Sequence, residues 1–561
     1  MSRGVFNSQN KVGEVLYFKT NSDSGSTFNP LVDFTSGSDR VSWGIGLNTG
    51  YTAANTISIV YSDAGTVKNC ELRTNRLSRL SQLNFFEDDI YGELDLTNFY
   101  KLTLFSAQGC PQLSAVTHSY SPANLSIYSL SNCNLTGHHD MSMLNIGGDF
   151  QINTNPNLTG LTHTASTQSF TRYAANNCDL TGPHDLSMFP KMGGDFRMQN
   201  NSNLTRILHT ATDPSANNFT RYWAFNCDLT GNHDMSMLTK IGGQIYLNSN
   251  SSLTGVTHTP TTGTITRYWA YACDFTGNLD LSMFPKLGGD IQLFSNNNLT
   301  SITHTANTDA SWTRYIMGSC DITGNHDMTW CPILGGDFVM DNNLNLTGIT
   351  HTTSSNIFVR YSVDSCNMKG VHDVSMLTGL GGNFSMSDNP ELLGVTHTAS
   401  TEVFTSYNLG ECNLLGTHNI DMLTGLGGLV QIYDNPNLTD VRFPTTTETF
   451  EDSGGAGQTN AAFRLHDCDF SSGLNFYPLA GANVADASIY IENNGMSSAI
   501  VNTMLSNFSG ITANNINRWS GMTLDISGTN STPDTTSGGI NGIAALSYLT
   551  GTPTQWSITT S

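Results

Sequence analysis

Histidine and cysteine recur in this chain at fixed intervals, and both can ligate metals or carry nucleophilic chemistry. Cysteines stand at Cys133, Cys178, Cys227, Cys273, Cys320, Cys366, Cys412 and Cys468. Histidines fall in two phrases. "THT" segments supply His163, His258, His304, His351 and His397, with His209 in "LHT". "HD" segments supply His139, His184, His233, His326 and His372, with His418 in "HN", and Asp140, Asp185, Asp234, Asp280, Asp327 and Asp373 lie beside that row. Disulfides, a zinc site, a thiol nucleophile, a cation row or a stacked scaffold could each use such residues. Zinc sites favour C-x-x-C pairs, which the sequence lacks. It also lacks G-x-S-x-G, P-loop and H-E-x-x-H patterns. We therefore assign no catalytic residue, metal ligand or cofactor, and expect a protein that is not an enzyme.

The elements that position these residues come from an internal repeat. Between successive cysteines lie Asn155, Asn201, Asn250, Asn296, Asn343, Asn389 and Asn435, about half a period on. The unit is therefore about 23 residues. Five and three residues before each cysteine come apolar pairs such as Tyr173/Ala175, Tyr222/Ala224 and Tyr268/Ala270. Before each asparagine come Phe196/Met198, Ile245/Leu247 and Phe338/Met340. The next apolar residue is at +2 in cysteine coils (Leu180, Leu229) and at +3 in asparagine coils (Leu204, Leu253), so unlike coils alternate in pairs.

This pattern resembles the leucine-rich repeat, L-x-L-x-x-N/C-x-L, over roughly residues 66–530. The resemblance implies a β-rich, right-handed solenoid whose ladder position points inward. There asparagine satisfies turn backbone, and cysteine fills space as a small apolar group. Neighbouring cysteines are two coils apart, about 9–10 Å at normal strand spacing. A disulfide needs Cα atoms within about 7 Å. The ladder cysteines are expected to be buried free thiols; Cys70, Cys110 and Cys331 are less regular. The histidines are expected in turns, as one row along the solenoid.

Residues between inward positions must point outward. Six before the ladder runs Arg172, Asp195, Arg221, Gln244, Arg267, Asp290, Arg314, Asp337, Arg360, which reads as a self-neutralising charge row. The next outward columns are mostly small or polar, as at Ser362, Ser385 and Asp364. Over four coils they instead hold Trp223, Phe225, Tyr246, Trp269, Tyr271 and Phe294. These six are the candidate binding residues, for a protein partner or a glycan.

The ends differ from the repeat. Residues 1–65 alternate apolar and polar and read as an N-terminal β cap or attachment module. "VSWGIGLNTG" with "ISIVYSDAG" resembles the start of polycystic-kidney-disease-like β-sandwich modules, with "WGIG" in place of their W-G-D-G. Residues 531–561 read as a helix-strand cap. "MTLDISGTNSTP" and "GGINGIAALSYLTGTPTQWSITTS" resemble the terminal module of leucine-rich proteins of bacteriophages of Bacteroidota.

The chain has 561 residues, with 45 acidic against 23 basic side chains and a net charge of −22, which argues against a nucleic-acid partner. The start has no apolar h-region, so no signal peptide is expected. No apolar run approaches about 18 residues, so no membrane insertion is expected. Together with the resemblance, these features imply a virion structural protein: a fibre, spike or decoration assembled in the host cytoplasm. It would touch other virion proteins through a terminus and offer a solenoid to a host glycan or protein. By analogy with phage fibres it would be a homo-oligomer, a trimer. The alternatives are a bacterial cell-surface leucine-rich adhesin and an intracellular protein-binding scaffold.

Overall fold

Alternation of inward and outward residues in each coil demands extended backbone, and a computed structural model of the chain shows it. It describes residues 81–560 apart from 86–89, 98, 119, 214, 262, 306–311, 332 and 452–461; before 81 it describes strand backbones only. The side chain of Cys70, and those of the N-terminal module, thus lie outside the described residues. The protein is a parallel β-solenoid of about 17 turns of about 23 residues each, with little helix.

Two compact units divide the chain: residues 1–274 with 283–285, and residues 275–282 with 286–561. In the first, antiparallel strands Glu14–Thr20 and Lys68–Thr74 pair along their length, and Arg40–Gly44 pairs with Thr49–Thr52. Parallel coil strands follow, including Phe170–Ala174, Gly194–Arg197, Phe219–Trp223, Gly243–Tyr246 and Ile265–Trp269, each paired with the next, with register shifts at Gly194/Asp195 and Gly243/Gln244. In the second unit, Trp312–Ile316, Gly336–Val339, Phe358–Ser362 and Gly382–Ser385 repeat the arrangement.

Each coil also has a short second strand, and these join two by two. Thr181–Asp185 pairs with Asn203–Leu208, and Gly370–Asp373 pairs with Leu392–Thr396. The pairing links a cysteine coil to the asparagine coil after it. A register shift at Gly182/Pro183 accommodates their unequal spacing.

Local geometry explains two recurrent residue choices. The "GG" before each asparagine-coil strand includes Gly194 at φ 71° and Gly243 at φ 65°. A Cβ on Gly243 would stand 2.0 Å from the Thr220 carbonyl oxygen of the neighbouring coil, so only glycine fits. The residue before each ladder position is also left-handed, as at Asn177, Asn200 and Asn226, a conformation asparagine tolerates.

The ladder asparagines are wholly buried and bridge coils. Asn343 Nδ2 donates to the carbonyls of Met317 (2.9 Å) and Met340 (2.8 Å), while its Oδ1 accepts from Ile322 N at 3.1 Å. The cysteines use the same two directions more weakly. Cys366 Sγ lies 3.2 Å from Met340 O and 3.3 Å from Asp364 O, and its single S–H is shared between them. None of the described cysteines forms a disulfide.

The core is a column of rings. In the first unit Tyr128 stacks on Phe150 at 5.7 Å, Phe150 on Tyr173 at 4.8 Å, and Phe196 on Tyr222 at 4.8 Å. In the second unit Tyr315, Phe338, Tyr361, Phe384 and Tyr407 form an unbroken stack with centroids 5.1–5.7 Å apart.

Helix α1 (Ser498–Asn514) lies inside the range that the sequence assigns to coils. Its apolar residues Val501, Met504, Leu505, Phe508 and Ile511 follow the 3.6-residue period and are buried. Buried Asn502 donates to Asp534 Oδ1 and to the carbonyls of Ser537 and Ile540, fixing the entry to helix α2 (Gly542–Thr550). Strand Ser557–Thr559 closes the region against Thr523–Asp525.

Replacing Asn343 by alanine leaves two buried carbonyls and one amide bare. We expect at least about 2 kcal/mol of destabilisation, read as a lower urea midpoint. An unchanged midpoint would show that these bonds do not hold the coils together.

Candidate functional site

The histidines occupy a different place from the turn row expected of them. They point into the core and clamp the tyrosine hydroxyls. His163 Nε2 lies 2.8 Å from Tyr173 Oη, and His184 Nε2 lies 2.7 Å from it on the other side. The same clamp holds Tyr128 (His118, His139), Tyr222 (His209, His233), Tyr315 (His304, His326), Tyr361 (His351, His372) and Tyr407 (His397, His418). At Tyr268 the contact is to His258 at 2.9 Å, and Leu279 takes the second histidine's place.

The reason is burial. These tyrosines are fully enclosed, and an enclosed phenol must keep its hydrogen bonds. A hydroxyl donates once, so at most one Nε2 can accept from it, and pairing both the hydroxyl hydrogen and the second imidazole requires the other Nε2 to donate. Nδ1 of His163, His351 and His397 is buried without a hydrogen-bond partner. A bare lone pair there is cheaper than a bare N–H. Those imidazoles therefore donate Nε2–H to the tyrosine, and the tyrosine donates to His184, His372 and His418. Each clamp is consumed by its own bonds and offers no converging metal ligands.

Burial lowers the clamp histidines from the usual 6.5 to about 4 at His139, His184, His233, His326, His372 and His418. It lowers His118 and His209 to about 3. The cysteine thiols are pushed up, to about 12 at Cys178, Cys227 and Cys366, again by burial, which rules them out as thiolate nucleophiles near neutrality.

The charge row is more uneven than the sequence implies. Asp195 is shared by Arg197 (2.7 Å), Arg221 (3.0 Å) and Arg172 (3.8 Å). Arg314 spans Asp290 and Asp337 as expected, whereas Arg360 turns to Asp341 at 2.9 Å. Asp434, His466 and Asp467 bring three ligand atoms within 4.8 Å. Yet His466 Nδ1 is already bonded to Asp467 at 2.6 Å, and Arg464 approaches its Nε2 at 3.4 Å.

The aromatic candidates form an ordered ladder. Register places Trp223 beside Tyr246 and Tyr246 beside Trp269. Their rings stack at 5.3 Å and 4.3 Å, inclined by 7° and 8°. Arg197 and Arg221 lie 4.9 and 5.3 Å from the Trp223 ring, and Arg267 lies 5.7 Å from Trp269. Arg267 also donates to Tyr246 Oη at 3.1 Å. The faces of Tyr246 are thus covered, and its ring is buried. Phe225 and Tyr271 lean against this ladder from the next outward column, at 6.3 Å from Trp223 and 6.4 Å from Trp269. Both are half-buried. Five of the six residues therefore meet in the first unit; Phe294, also half-buried, belongs to the second.

Two residues of this site carry no aromatic signal and were missed in the sequence. Gln199 and Asn248 alternate with Phe225 and Tyr271 along the same column. The backbone bonds Asn200 N to Phe225 O, Asn226 N to Asn248 O and Ser249 N to Tyr271 O set that register. Both amides are more than nine-tenths buried, and Gln199 Oε1 and Asn248 Oδ1 have no hydrogen-bond partner. The column's spacing was the available signal.

No protein-family model matches the chain, and no curated protein matches it. Among solved structures it is similar to the crystal structure of the TLR13–ssRNA13 complex. That likeness covers 80% of this chain and 81% of the other, at 11% identity and a TM-score of 0.20. So slight a likeness carries no argument about fold or function.

The clamps set an acid limit. Unfolded histidines bind protons below pH about 6.5, whereas the folded ones resist until about 4. Stability is therefore complete above 6.5 and falls with pH between these values, by about 1.4 kcal/mol per pH unit for each such histidine. Urea midpoints measured from pH 8 to pH 4 should drop steeply below 6.5. A flat profile down to 4.5 would mean that the imidazoles are solvated.

Proposed function

We propose that this chain is a non-enzymatic display scaffold: a virion structural protein of the fibre, spike or decoration kind. It is held through one terminus and presents its outer sheet to a receptor or neighbouring protein. The observation that carries this reading is the aromatic ladder of Trp223, Tyr246 and Trp269, flanked by Phe225 and Tyr271. The coil needs no large ring at these positions. Elsewhere the same columns are mostly small or polar, as at Ser362, Ser385 and Asp364, with a separate ring pair at Tyr433 and His466.

Three further points support the reading. The repeat's thiols and imidazoles are spent on the core, leaving them no part in chemistry. The acidic, asparagine- and serine-rich surface suits an exposed particle protein. Both ends resemble modules of phage and Bacteroidota surface proteins.

Mass spectrometry of crosslinked, purified particles tests it. The chain should be present, with crosslinks from one terminus to another particle protein. Finding it only free in cytosol, and absent from particles, would overturn the proposal.

A further inference from the structure

The outward columns of the first unit hold more than rings. Phe225 and Tyr271 sit two strands apart, about 9–10 Å at normal spacing, with Asn248 between them. Asn248 is 6% exposed and Gln199 is 7% exposed. Asn248 Nδ2 has one long contact, 3.4 Å to Ser249 Oγ, and its Oδ1 has none. Ser249 can donate or accept, so turning the amide over still leaves one of its groups bare. Gln199 Oε1, beside Phe225, is bare as well. A buried amide left unpaired is destabilising. The repeat does not require this, since elsewhere the column holds Ser131, Gly318 and Ser387.

Each group asks for the same kind of ligand. Rings carried on strands about 9–10 Å apart suit one saturated ring laid over Asn248 between them. Its C–H faces would meet the aromatic surfaces. The bare amide carbonyls would accept hydroxyl protons once the half-buried rings part. The electrostatics add a sign: Asp195 is shared among three arginines, and two of these, Arg197 and Arg221, border Trp223. A chain of net charge −22 thus carries a locally cationic rim at this place. A carboxylate on the ligand would be met by guanidinium groups.

We infer that Phe225, Asn248 and Tyr271 form a subsite for one pyranose unit of an acidic oligosaccharide, with Gln199, Arg197 and Arg221 as its polar rim. The inference rests on the proposed display function and names what the displayed surface takes. A protein strand laid along the sheet would use backbone groups at its edge, and these columns are central, with ladder bonds complete on both sides.

The test uses the purified full chain. Its binding is measured against pyranose oligomers bearing uronate or sialate, against neutral oligomers, and against a library of extended peptides. Acidic oligomers should bind, and the affinity should weaken with added salt. Phe225→Ala and Tyr271→Ala should each reduce affinity at least tenfold, whereas Val359→Ala, on an exposed strand position of the other unit, should not. Asn248→Leu separates ligand recognition from folding. It removes the bare amide, so the thermal midpoint should hold or rise while binding falls at least tenfold. Binding to neutral oligomers alone, to peptides alone or to nothing overturns the inference. So does acidic-oligomer binding that survives Phe225→Ala, Tyr271→Ala and Asn248→Leu. Particle mass spectrometry reads the display proposal independently: the subsite stands if oligosaccharide binds while particles lack the chain.

Discussion

Parallel, in-register stacking puts each residue of a coil beside its counterpart in the next. A polar group admitted to the interior is therefore admitted as a whole column and must be satisfied as one. The tyrosine hydroxyls show what that demands. Each brings a polar atom to the centre of a stacked ring column, and a histidine on either side answers it, save at Tyr268, where Leu279 stands in place of the second. The asparagine ladder meets the same demand at the turn, where each side-chain amide bridges two coils. Neither device is strong alone in a solvated setting. In a dry column each deletion strands several partners at once.

The same constraint explains the division between the two faces of the strands. Inward columns are uniform because a change must suit the neighbours above and below. Outward columns face solvent on one side and can vary more from coil to coil. The aromatic ladder over Trp223–Trp269 exploits that freedom. Its rings stack across strands at the spacing the backbone already provides, and Arg221 of the charge row, with Arg197, closes over the Trp223 end.

The solenoid was legible because its period is carried by backbone-critical residues. The cysteine and asparagine positions, the double glycines and the alternation of apolar residues each reflect one local requirement. Helix α1 was hidden by its setting: its 3.6-residue pattern at Val501, Met504, Leu505 and Phe508 follows directly on a coil motif. The clamps were missed for another reason. Local turn logic assigned the histidines to turn hydrogen bonding, whereas their partners lie 10 and 11 residues away, as in His163–Tyr173–His184. That spacing recurs in the sequence, but only a three-dimensional view turns it into a contact. The buried amides of Gln199 and Asn248 were invisible for a third reason, since burial depends on the rings beside them.

Two linkers alternate along the solenoid. Short second strands join each cysteine coil to the asparagine coil after it, as Thr181–Asp185 joins Asn203–Leu208. The tyrosine clamp then joins an asparagine coil to the next cysteine coil, since His163 belongs to one and Tyr173 to the other. Removing a single coil would set two linkers of one kind side by side and leave the other kind missing. Removing two would restore both joints. The length of such a protein is quantised in pairs of coils, and lineages carrying this repeat should grow and shrink by doublets.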